Sequence, residues 1–178
     1  MSSTMSIRKE INQDHTEVNK IIKEAFASME MSDHQEHLLV DRIRKSPAFI
    51  PELSLVAELN HQIVGHVLLT KIKIVNDHDI HESLALAPVS VLPEHQNKGI
   101  GGQLILAAHE KAKSLGFTSV VLLGHDQYYP RFGYQQAKTF GITLPFDVHD
   151  ENCMAIELIE NALHGVQGTV EYLKEFYE

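Results

Sequence analysis

Two hydrophobic periods divide the chain. Over residues 16–29, Val18, Ile21, Ile22, Ala25, Phe26 and Met29 recur at steps of three and four, the spacing of one helix face. Asp14 and Glu17 stand where a capping pair would close the first turn. A second helical stretch, "DHQEHLLVDRIRKS" at 33–46, must stop before Pro47, because the residue preceding a proline avoids the helical region. The period then shortens to two. "LSLVAEL" at 53–59 and "IVGHVLLTKIKIV" at 63–75, joined through Asn60 and His61, predict an antiparallel hairpin. "SLALAPVSVL" at 83–92 is almost wholly apolar, as a central strand would be. Pro88 within it predicts a bulge or splay, since proline cannot donate to a ladder. Helical spacing returns at 100–115 with Ile100, Leu104, Ile105, Ala108, Ala112 and Leu115, closed by Gly116. "TSVVLLG" at 118–124 reads as a buried strand, parallel to 83–92 if the helix between them is a crossover. "FGITL", "CMAIELI" and "GTVEY" add short strands, so the order predicts a single α/β domain over 1–178, a mixed sheet flanked by helices.

Composition narrows what such a domain would do. An apolar fraction of 43% with 22% charged residues is that of an ordinary soluble globular protein. The formal charge of −9 disfavours nucleic acid as a partner and suits a cationic small substrate. Cys153 is alone in the sequence, so no intramolecular disulfide forms, and its apolar setting predicts a buried, inert thiol. No apolar run reaches membrane-spanning length and the first residues lack the apolar core of a signal peptide, so no membrane partner and a cytoplasmic location are expected.

The segment "LPEHQNKGIGG", residues 92–102, places three glycines between an apolar strand and a helix. Backbone N–H groups converge at such a junction, the helix dipole adds partial positive charge, and Lys98 adds a full one, which is the recipe for an anion site. A P-loop fails here because Lys98 precedes Gly99 and no Ser or Thr follows. A dinucleotide fingerprint fails because Leu104 holds the place of its third glycine.

Gln96, Gly99 and Gly101 meet the remaining pattern, Gln/Arg, two residues, Gly, one residue, Gly/Ala, and this resembles the pyrophosphate loop of the GNAT superfamily of N-acetyltransferases. "YYPRFGY" resembles the segment where such enzymes carry a catalytic tyrosine, four residues before a Gly-Phe or Gly-Tyr pair. With "LSLVAEL", "LAPVSVLPEHQNKGIG", "LLGHDQYYPRFGY" and "LPFDV", nearly the whole chain is similar to the YhbS-like subgroup of these transferases. His125 departs from a commoner acidic arrangement at that position.

The resemblance implies a mostly antiparallel, twisted central sheet of six to seven strands, with acetyl-CoA as co-substrate and no metal. It puts the pyrophosphate on Gln96, Asn97, Lys98, Gly99, Ile100, Gly101 and Gly102, and the pantetheine arm and thioester carbonyl on backbone groups of Val89 and Val91. Tyr129 matches the general acid, with Tyr128 beside it as the fallback and a further cofactor contact. The acceptor would be a small-molecule or peptide amine. A base is needed because an amine near pKa 10.4 is mostly protonated at pH 7. Glu82, His66, Glu36 and His125 are candidates from segments expected to border the cleft, each otherwise expected at the surface. Three residues apart, His34 and His37 could bind zinc from one helix face, but no further ligands accompany them and solvated helix residues are expected. A non-catalytic acyl-CoA-binding sensor, a transferase for another short acyl-CoA and a homodimer stay open.

Overall fold

The computed structural model describes residues 4–30 and 32–177. Its elements run β1 (Met5–Lys9), α1 (His15–Phe26), α2 (Glu36–Arg44), β2 (Ser54–Leu59), β3 (Gln62–Val75), β4 (Ile80–Val91), α3 (Ile100–Ser114), β5 (Ser119–Leu123), β6 (Gln135–Gln136), β7 (Ile142–Thr143), β8 (Cys153–Glu157) and β9 (Gly168–Glu171), with 3-10 turns between several of them. Seven strands have four or more residues, and the two-residue β6 and β7 bring the number among the described residues to nine. Packing separates the chain into two compact units, one extending to Leu69 and including Ala87–Lys111, the other holding Thr70–Leu86 and everything from Ala112 onward.

In the first unit, strand pairing follows the order β1, β2, β3, β4. Asn60 and His61 both take left-handed φ angles, 52° and 68°, so the β2–β3 link is a two-residue turn whose twist suits the hairpin. The apolar faces of the helices are buried as their spacing demands, Val18, Ile21 and Ile22 from α1 and Val40 and Ile43 from α2. Leu104 and Ile100 of α3 close on β3 at Gly65, where an added Cβ would lie 3.0 Å from the Leu104 side chain and 3.1 Å from the Ser90 carbonyl oxygen.

Sequence pattern and fold differ in three places here. Strand β1 escapes the periodicity because five residues carry little of it; the strand forms through its ladder with β2, Met5 opposite Leu59 and Lys9 opposite Leu55. The expected capping of α1 by Asp14 is absent: its carboxylate accepts from Arg8 at 2.7 Å and from the Ile11 N–H at 2.9 Å, and the Arg8 guanidinium above all holds it below the usual carboxylate range. His34 precedes α2 in a left-handed conformation rather than lying on a helix face with His37.

In the second unit, β4 and β5 run parallel, Leu84 opposite Val120, as a crossover through α3 requires. β5, β8 and β6 continue antiparallel, while β9 pairs antiparallel with β3 and parallel with β7. α3 ends in a Schellman arrangement: Gly116, at φ +92°, donates to the Lys113 carbonyl and Phe117 to that of Ala112. Ile74, Val121, Ile142, Ala155, Leu163 and Val170 lie in the core of this unit.

Candidate active site

Within the first unit, β4 leads through a short turn, Pro93–His95, into the glycine loop and α3. Asn97 and Gly99 are both left-handed, with φ of 64° and 82°, so the backbone reverses its curl on either side of Lys98. An added Cβ at Gly99 would meet nothing within 4 Å, and residues 96–99 are exposed. The first internal hydrogen bond of the helix is Gln103 N–H to the Gly99 carbonyl, which leaves the N–H groups of Ile100, Gly101 and Gly102 without helical acceptors. An exposed loop at 96–99 therefore leads directly into a positively polarised helix start. The Gln96 side chain turns the other way. Its amide donates to the Val91 carbonyl at 3.0 Å, and its own backbone N–H is taken by the Pro93 carbonyl. This braces the loop against the end of β4 and ties Val91 and Gln96 to one local structure. Val89 is half-buried and Val91 buried.

Within the second unit, β5 ends at Leu123 and the chain turns sharply, the backbone N–H groups of Tyr128 and Tyr129 both donating to the His125 carbonyl. A 3-10 turn, Tyr129–Phe132, ends at Gly133, whose N–H bonds the Pro130 carbonyl. Tyr129 lies edge-on to Tyr128 and to Tyr134, with ring centroids 5.0 and 5.8 Å apart, and Tyr128 is edge-on to Phe132. The Arg131 guanidinium sits over the Tyr128 ring at 4.7 Å and donates to its carbonyl. Burial pushes the Tyr129 phenol up to about 12, with Tyr128 adding to the effect, so it keeps its proton at neutral pH. Burial also raises Tyr128.

The four base candidates differ in their surroundings. Glu82 and His125 are exposed, and Glu36 accepts from the Ser32 hydroxyl at 2.5 Å. His66 corrects the expectation of a surface residue, for it is fully buried in a polar network of the first unit. Its Nε2 lies 2.8 Å from Ser54 Oγ, which donates to Glu10, whose carboxylate is gripped by Arg44; Arg44 also donates to Asn19 and Asp41. Since the Ser54 proton goes to Glu10, the hydroxyl can only accept from His66, which fixes its proton on Nε2. Burial lowers the imidazole to about 4, so it is neutral and structural, a link between β2, β3 and the helices.

Gly124 and Asn152 belong to the tyrosine turn although the sequence pattern does not single them out. A Cβ at Gly124 would lie 2.5 Å from the Tyr129 ring, and Asn152 bonds the Gly124 backbone on both sides. The bare glycine in "LLGHDQYY" is the one sequence signal that hints at this. Cys153 is buried as expected, its thiol raised by burial. Among the described residues no group of three or more His, Cys, Asp or Glu could hold a metal ion, and no helix is long and apolar enough to cross a membrane.

Comparison with known proteins gives this geometry its context. The Acetyltransferase (GNAT) domain family matches residues 51–136, from the 3-10 turn before β2 through the tyrosine turn. The uncharacterized N-acetyltransferase YjhQ of Escherichia coli is 32% identical over 140 residues, covering 78% of this chain and 75% of that one. The uncharacterized N-acetyltransferase YhbS of the same organism is 27% identical over 97% of this chain and 98% of its own. Among solved structures, a GNAT family acetyltransferase from Brucella melitensis in complex with acetyl-CoA is 32% identical over 97% of this chain, 98% of that chain, with a TM-score of 0.79. E. coli YhbS in complex with CoA shares the fold at a TM-score of 0.89 and 24% identity, covering 100% of this chain and 94% of that one. The chain belongs to the GNAT family of N-acetyltransferases, and is an acyltransferase with that family's mixed α/β fold.

Proposed function

We propose that this chain transfers the acetyl group of acetyl-CoA directly to a primary amine of a small molecule or peptide, residues 1–178 working as one catalytic domain. The observation that carries the reading is the loop at the start of α3, where Asn97 and Gly99 are left-handed, Gly99 faces open space and the first N–H groups of the helix have no helical acceptor. These donors and Lys98 suit a pyrophosphate, and backbone donors count for more there than side chains. The acetyl-CoA complex of the Brucella relative supports the choice of co-substrate. Acetyl-CoA supplies the activated acyl group; the protein holds its phosphates at residues 97–102 and its arm along the backbone of Val89 and Val91.

Tyr129 is the proton donor to the departing sulfur. With its phenol near 12 and a thiol near 8.5, complete transfer would cost about 5 kcal/mol, so Tyr129 acts chiefly as a hydrogen-bond donor that steadies the thiolate. Direct transfer is favoured over an acyl-enzyme because Cys153 is buried and its thiol is raised, the opposite of an activated nucleophile. The test is an amine panel assayed by release of free CoA, with Tyr129→Phe as control. Turnover with an amine that falls at least a hundredfold in the variant supports the reading; CoA release that is unchanged in the variant removes Tyr129 from the mechanism.

A further inference from the structure

We propose that Gly124, pinned by Asn152, is the platform that positions the Tyr129 ring. The role rests on the reading of Tyr129 as the proton donor, but its geometry stands on its own.

Gly124 follows β5 directly, and both of its backbone polar groups are used. Its N–H donates to the Asn152 carbonyl at 2.9 Å, and its carbonyl accepts from Asn152 Nδ2 at 3.0 Å. One residue on the neighbouring segment therefore holds the glycine from two directions, immediately before β8 begins at Cys153. The Tyr129 ring occupies the space a side chain at 124 would need: an added Cβ would lie 2.5 Å from one ring carbon and 3.0 Å from the next, with Leu122 at 3.3 Å. Real Cβ atoms do not come so close, and the atoms met belong to a rigid ring rather than to the end of a flexible chain. That ring is also fenced by Tyr128 and Tyr134, both edge-on to it. With Gly124 unable to yield, a methyl group there moves the tyrosine. Glycine is needed for contact, since its φ lies outside the left-handed range. A proton donor must stand within hydrogen-bond reach of its acceptor, so a shift of about 1 Å is felt in rate well before it is felt in cofactor binding.

The experiment is a double-mutant cycle on the full chain. Gly124→Ala and Tyr129→Ala are made singly and together, and thermal unfolding is followed for each. Gly124→Ala should lower the midpoint by several degrees in the native background and by less than half as much beside Tyr129→Ala, where the ring is gone. Equal losses in both backgrounds overturn the proposal. Carbon-13 labelling of the tyrosine ring then follows the phenol directly: in Gly124→Ala, and more weakly in Asn152→Ala should the first variant fold poorly, Tyr129 should titrate below its native value as its burial falls. An unchanged titration in the variants overturns the proposal as well.

Activity separates the platform from the role it serves. With an amine that the native chain acetylates, Gly124→Ala should lower kcat tenfold or more while the acetyl-CoA Kd, measured by calorimetry, stays within twofold. If Tyr129→Phe keeps full activity, the proton-donor reading falls whatever the cycle gives. If Tyr129→Phe is inactive and the cycle shows no coupling, the platform falls and the proton-donor reading stands.

Discussion

Two glycines in this molecule do opposite work. Gly99 sits in open space at φ +82°, and nothing lies within 4 Å of where its Cβ would be; what it supplies is a backbone conformation. Gly124 has no such φ, but the Tyr129 ring fills the place of its side chain; what it supplies is room. The first suits a loop that must present N–H groups to a ligand, the second a turn that must hold one side chain still. On the reading proposed above, the cofactor loop is built from backbone torsions and left exposed, whereas the proton donor is built from contacts and held half-buried. The two should respond differently to substitution and to pH.

The largest difference is expected in turnover. Tyr129→Phe should cost a hundredfold or more in kcat at unchanged acetyl-CoA affinity, measured by calorimetry beside the CoA-release assay. Gly99→Val should do the reverse, weakening acetyl-CoA about tenfold or more by opposing the left-handed conformation, with kcat at saturation largely retained. If Gly99→Val leaves the Kd unchanged, the contrast between backbone and packing fails at its first term.

The polar network around Arg44 gives the next effect, in stability. Arg44→Ala leaves the buried Glu10 carboxylate without its guanidinium and should cost about 3 kcal/mol or more, read by denaturant unfolding. Alkaline pH distinguishes the tyrosine turn further. Because burial raises the Tyr129 phenol to about 12 in the folded chain, against about 10 when unfolded, its share of stability is present below pH 10 and is lost as pH rises through 12. Thermal midpoints between those values should fall in the native chain and fall less in Tyr129→Phe. The smallest effect is expected at His125: it is exposed and offers the turn its carbonyl, so His125→Ala should change kcat by no more than about twofold.

How much of this is legible in the sequence follows the same division. The loop is local: Gln96, Gly99 and Gly101 lie within six residues, and torsions write themselves into glycine placement. The β2–β3 turn is readable for that reason too, and α1 and α3 because their burial repeats with the helical period. Gly124 and Asn152 meet across 28 residues, and no spacing rule joins them. His66 looks like a surface residue in the sequence because the residues its Nε2 reaches, Ser54 and, through it, Glu10 and Arg44, come from β2, from just after β1 and from the end of α2. Strand β1 has the same explanation, since its partner β2 begins 45 residues beyond its last residue Lys9. Asp14 sits where a cap belongs, yet Arg8 across the preceding turn claims its carboxylate.

The most direct test of the central claim, that the loop at the start of α3 holds the pyrophosphate of acetyl-CoA, is calorimetric titration of the native chain and Gly99→Val with acetyl-CoA, CoA, ATP and NADH. Tight binding of acetyl-CoA and CoA but not ATP or NADH, weakened about tenfold or more in the variant, is the predicted result. Acetyl-CoA affinity that is absent from the native chain, or equal in native and variant proteins, would contradict it.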